Sequence, residues 1–138
     1  MKKFLLILIG LSTFSLAEFT KIGNIVSDSV TGLQWQDDIN SSTTTWQTAI
    51  TYCEDLSLEG HDDWRLPNLN ELKSIIDRSK SNPAIVDGFI NTSSISFWSS
   101  TSYVDGSNFA WYVYFGNGYV GGVSKDGGTS VRCVRAGE

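Results

Sequence analysis

The sequence is short of the residues that carry most enzyme chemistry. It holds one histidine, two cysteines and one methionine in 138 residues. A structural zinc site takes four nitrogen or sulfur ligands, and that supply does not reach it. The same scarcity counts against a Cys–His or Ser–His nucleophile. No G-x-S-x-G elbow, Walker loop, H-E-x-x-H pair or Rossmann glycine pattern is present. Positive charge is scarce as well, with 10 Lys and Arg against 15 Asp and Glu and a net charge of −5. A nucleic-acid binder needs a basic stripe to displace counterions from phosphates, so no nucleic-acid partner is expected. There is no internal repeat and no low-complexity tract, and past residue 14 no apolar run is long enough to span a bilayer.

Aromatic residues are plentiful. Seven Phe, five Trp and five Tyr accompany an apolar content of 41%, which suits one folded domain. The start of the chain reads differently. Lys2 and Lys3 form a positive n-region, Phe4 to Phe14 an apolar h-region, and Ser15-Leu16-Ala17 a small-x-small cleavage pattern. Residues 1–17 therefore read as a secretory signal peptide, leaving a single domain over residues 18–138. The expected location is the bacterial periplasm or the exterior, with no membrane span after cleavage. Export places Cys53 and Cys133 in an oxidising compartment where they pair, the alternative being two buried thiols. Such a bridge closes a loop of about 80 residues, worth roughly 4–5 kcal/mol in the chain-entropy description.

Periodicity gives the elements. Phe19 to Val26 reads as a strand, Ser27 to Gly32 as turn, and Leu33 to Trp35 as a second strand, together an N-terminal hairpin. Trp46, Ala49, Ile50, Cys53 and Leu56 recur at helical spacing, with Thr44 and Gln47 as a capping box and Gly60 as a stop. Asn68 and Glu71 form the capping box of a second helix, with Leu69, Leu72, Ile75 and Ile76 on its apolar face. Ser79 to Ser96 reads as a long irregular loop. Strands over 97–101, 110–115, 119–124 and 131–135 then form an antiparallel meander, with Gly116-Asn117-Gly118 as one hairpin turn. This order is α+β.

Several motifs in this order carry a resemblance: Thr31-Gly32-Leu33-Gln34-Trp35, Asp63-Trp64-Arg65-Leu66-Pro67 with Glu71-Leu72, Phe97-Trp98-Ser99-Ser100-Thr101, Ala110-Trp111-x-Val113-x-Phe115 and Val131-Arg132-Cys133-Val134-Arg135. Over about residues 22–136 the chain resembles the Lcl C-terminal domain family, named for the C-terminal domain of the Legionella collagen-like adhesin. The resemblance implies a C-type-lectin-like fold, related to the formylglycine-generating enzymes, in which a first-helix cysteine bridges to the last strand. It also implies adhesion and glycosaminoglycan binding. Two departures stand out: this chain has no collagen-like repeat, and its acidity suits a polysulfated ligand poorly.

Candidate sites follow. Trp35, Trp64, Trp98 and Trp111 are read as core, and Arg65 as a structural partner of Glu71. In 110–115, alternation turns Trp111, Val113 and Phe115 to the core and leaves Tyr112 and Tyr114 exposed. With Asn117, Tyr119, Tyr103 and Asn108 they are the candidate ligand-binding residues, rigid rings with polar tips, supported by the Ser79–Ser96 and Ser102–Phe109 loops. Asp62, Asp63, Asp87, Asp105 and Asp126 lie in turns without an EF-hand or a calcium-lectin signature, so no metal and no cofactor is expected. The expected function is an exported, non-catalytic, adhesin-like module that binds surface carbohydrate, glycosaminoglycans among them, or a protein ligand. An envelope protein-interaction subunit is the first alternative and a small exported enzyme the second.

Overall fold

The structure, a computed structural model, describes residues 16–38, 42–104 and 106–137. The expected signal peptide lies outside them, except for Leu16 and Ala17, and so does Asp105 of the expected 102–109 loop. The described elements are β1 (Phe19–Ile22), β2 (Ile25–Asp28), β3 (Leu33–Gln36), α1 (Trp46–Asp55), α2 (Leu69–Lys73), β4 (Ser96–Tyr103), β5 (Gly106–Tyr114), β6 (Tyr119–Ser124) and β7 (Val134–Ala136). They form two antiparallel sheets, ordered β1-β2-β3-β7 and β4-β5-β6. The α+β class is as expected.

Four local readings are corrected. The first strand is two strands, because Gly23 takes φ +59° and closes a two-residue turn with Asn24. The N-cap of α1 is Thr45, whose hydroxyl accepts from the Thr48 amide, while Thr44 pairs with Thr129 instead. In α2 the Asn68–Glu71 capping box is present, but the helix stops at Lys73. Beyond it the chain pairs with the next segment: Val86 N–H donates to Ile75 O at 3.0 Å and Asp77 N–H to Ala84 O at 3.0 Å. Ile75 N–H still donates to Leu72 O at 3.4 Å, so Ile75 reaches the core from the turn that ends the helix. Finally, β7 leaves the meander and joins β3, with Trp35 opposite Val134.

Consecutive residues explain why two sheets hold together. Val26, Phe97 and Val134 lie in one buried cluster with Trp35, Leu72, Val113 and Phe115. Their chain neighbours Ile25, Trp98 and Cys133 lie in a second, with Ala49, Cys53, Trp64 and Ala110. Side chains alternate across a strand, so these strands run between two cores and are buried on both faces there. The Cys53–Cys133 disulfide ties α1 to the residue before β7 and closes a separation of 80 residues.

The Asp63–Pro67 motif is a brace. Trp64 is buried and its indole N–H donates to His61 O at 3.1 Å. Arg65 exchanges backbone bonds of 2.8 Å with Val134 in both directions. Its guanidinium grips Glu71 through both nitrogens at 2.6 and 2.7 Å. The hydrogen bond from Arg65 raises nothing on the acid: burial alone would lift the Glu71 carboxyl, and the Arg65 and Asn68 bonds hold it below its ordinary value. Asp63 grips the buried Arg135 at 2.6 and 3.1 Å. Trp35 and Trp98 are wholly buried as expected.

Candidate tyrosine platform

The two faces of the β4–β5–β6 sheet follow from register. Phe109, Trp111 and Val113 lie opposite Ser124, Gly122 and Val120, on one face. Ala110, Tyr112 and Tyr114 lie opposite Val123, Gly121 and Tyr119, on the other. Neither face is simply inside or outside. On the first, Val113 and Phe115 enter the core, but Trp111 is only half-buried and stacks on Tyr103 at 4.3 Å between centroids. This corrects the expectation that Trp111 faces the core. On the second, Ala110 is wholly buried, and Tyr112 sits opposite the buried Trp98. Tyr112 and Tyr114 are therefore half-buried, not exposed as expected, while Tyr119 is 57% exposed.

Three tyrosines occupy the open end of the second face. The Tyr112 and Tyr119 rings are 6.2 Å apart. Both lie over Gly121, and Tyr114 lies over Gly116: a Cβ on either glycine would fall within contact of those rings. The missing side chains leave the room that the rings occupy. No described protein group bonds to the three phenol hydroxyls. At the turn, the exposed Asn117 uses its carbonyl oxygen to accept from the Tyr119 amide at 2.9 Å, which leaves its NH₂ group outward. Arg78 reaches the same turn and donates to Gly118 O at 3.0 Å. The sequence reading missed Arg78 as a neighbour of this site because 40 residues separate them.

The structure thus divides the six candidate ligand residues among three places. Tyr112, Tyr114, Asn117 and Tyr119 come together. Tyr103 stands with Trp111 on the opposite face. Asn108 lines a groove of about 310 Å³ with Thr45, Trp46, Gln47, Lys125 and Asp126, where the Lys125 ammonium sits 3.9 Å from the Trp46 ring centroid and donates to Ser102. The supporting 102–109 segment is mostly strand, the tip of the β4–β5 hairpin.

The 79–96 segment is irregular as expected, but it is tied down at a sealed polar corner. Asp37 is wholly buried and accepts from Lys21 at 2.7 Å, from Arg132 at 3.2 Å, and from the Ile90 and Asn91 amides at 3.0 and 3.1 Å. Burial alone would raise the Asp37 carboxyl, but the Lys21, Ile90 and Arg132 contacts together hold it below its ordinary value. Arg132 also donates to Asn91 O and Gln36 O, between the rings of Phe89 and Phe97. Burial pushes its guanidinium down to about 10, against the pull of Asp37. Among the described residues no group of His, Cys, Asp and Glu is arranged to hold a metal.

Residues 24–135 match the sequence profile of the Lcl C-terminal domain, and the chain belongs to that family. No curated protein matches it.

Proposed function

We propose that this member of the Lcl C-terminal domain family is an exported, non-catalytic binding module that takes carbohydrate on the tyrosine platform. The family is adhesin-associated, which accords with a binding role. The disulfide accords with export, and no helix among the described residues is long and apolar enough to cross a membrane. One observation carries the ligand class: three tyrosine rings gather over two glycines, with no described protein group bonded to their hydroxyls. Apolar ring faces suit the C–H faces of a sugar, while the phenols and the Asn117 amide suit its hydroxyls.

A protein ligand is the second reading, favoured by the opposite face. Val104 is 90% and Phe109 45% exposed on the hairpin that carries the Tyr103–Trp111 pair, two apolar side chains open to a partner. A glycan array separates the two. The protein is expected to bind a defined set of glycans, and the Tyr112→Ala/Tyr114→Ala variant to lose them while remaining folded. Binding retained by that variant moves the site off the platform, and an array without signal favours a protein ligand.

A further inference from the structure

The two sheets have four edges, and three are blunted. On β4, Trp98 N–H donates to Ser130 O at 3.0 Å, Ser130 N–H to Ser96 O at 3.1 Å, and Ser100 N–H to Pro67 O at 2.7 Å. Arg65 covers β7 through its paired backbone bonds with Val134. β1 is four residues long, carries Lys21, and has Gly88 packed at the Phe19 carbonyl. Among the described residues, β6 has no such cover.

Its ladder phase can be read directly. Gly118 N–H donates to Tyr114 O at 2.9 Å and Lys125 N–H to Asn108 O at 2.8 Å. The even-numbered residues of β5 therefore bond toward β6, where they face Tyr119, Gly121 and Val123. Antiparallel pairs alternate, so the N–H and C=O groups of Val120 and Gly122 point outward. No backbone bond to either is made outside the ladder among the described residues. The strand Tyr-Val-Gly-Gly-Val-Ser has no charge, proline or bulge, the usual means of blunting an edge.

We propose that β6 pairs with β6 of a second copy of this chain, antiparallel about a twofold axis at Gly121. Val120 then faces the partner's Gly122, and Gly122 the partner's Val120, each pair exchanging both backbone bonds. These bonds use only outward groups that the monomer leaves unpaired. The side chains are self-complementary in size. Val120 meets a glycine over which the Tyr103 ring lies, giving it an apolar surface to cover. The two Gly121 residues approach closely and leave room for the Tyr119 rings above them. Tyr119 faces the partner's Val123, an aromatic–β-branched pair that stabilises sheets. Because β4 is covered, addition stops at two copies, a closed isologous dimer with one continuous six-stranded sheet. The contact borders the platform through Tyr119 and Gly121, but its backbone bonds do not require a bound ligand.

Sedimentation equilibrium and amide exchange followed by NMR test this on the intact protein. The expected result is a reversible dimer, with exchange at Val120 and Gly122 slowing by more than about tenfold between dilute and concentrated samples. Val120→Pro deletes an outward N–H that the monomer does not use, a position where an edge strand tolerates proline, and is expected to be monomeric. Should that variant misfold, the exchange pattern of the unaltered protein decides alone. A monomer at all concentrations, a dimer whose Val120 and Gly122 amides exchange freely, or open-ended assembly overturns the proposal.

Discussion

The sealed corner at Asp37 and the open platform at Tyr112 are both polar regions of the same domain, and they differ in what their polar groups touch. Around Asp37, the carboxylate is met by an ammonium, a guanidinium and two amides, Lys21 being partly exposed and only the Nε of Arg132 left without a bond. On the platform, phenols lie over glycines with no protein partner among the described residues. A buried charge without partners is costly, so the first arrangement is a requirement of the fold. Half-exposed phenols incur little cost when left to solvent, so the second is available to a ligand. The difference teaches that partner satisfaction, more than residue type, separates structural from recognition chemistry here.

Substitutions sharpen this contrast, beginning with the largest effect. Reduction of Cys53–Cys133, or a double Ala variant, is expected to cost about 4–5 kcal/mol of unfolding free energy, given the 80-residue separation. Arg132→Met strands the Asp37 charge beside Lys21 alone and is expected to cost about 3–5 kcal/mol in denaturant titrations. Pairing it with Asp37→Leu removes the stranded charge and should restore part of that loss. Cores that tolerate Arg132→Met without loss would break the comparison.

Acid probes the same corner. Asp37 and Glu71 are held below their ordinary values in the folded protein. Their stabilising contribution is therefore complete above the unfolded carboxyl range and is lost as pH falls through the lower folded values, below ~4. An Asp37→Asn variant should show a shallower loss of stability in that window, measured by chemical denaturation at stepped pH. A smaller effect is expected from Glu71→Ala, which removes the Arg65 pair and half of the capping box, at about 1–2 kcal/mol. Smallest in stability is Tyr119→Ala, about 0.5 kcal/mol or less for an exposed side chain, although ligand binding should fall sharply.

Much of this was legible in the sequence. The Asn68–Glu71 box, the amphipathic α1, the Gly116–Gly118 turn and the Arg65–Glu71 pair rest on local spacing, and local spacing determines them. The misreadings concern longer range. Ile75 and Ile76 continue a helical pattern, but pairing with residues 84–86 offers the same backbone bonds elsewhere. The segment before β7 crosses beside Phe97 before the strand joins β3, which strand periodicity does not encode. Trp111 shows the limit of alternation: its face changes from core to surface within one strand as the sheet leaves the first cluster. Of the site, the Tyr112–Tyr119 register was readable from the hairpin, whereas the division of Tyr103 and Asn108 from it was not, because Tyr103 follows register shifts of β4 against β5 and Asn108 meets Trp46 of α1 only in the fold.

The most direct test of the account uses the five tyrosines as their own control. With ring-labelled tyrosine, an NMR titration with a glycan identified on the array reports each ring separately. The account predicts that Tyr112, Tyr114 and Tyr119 shift together on binding, while Tyr52 on α1 and Tyr103 on the opposite face stay still. Saturable shifts confined to Tyr103, or a bound glycan that moves none of the three platform rings, would contradict it.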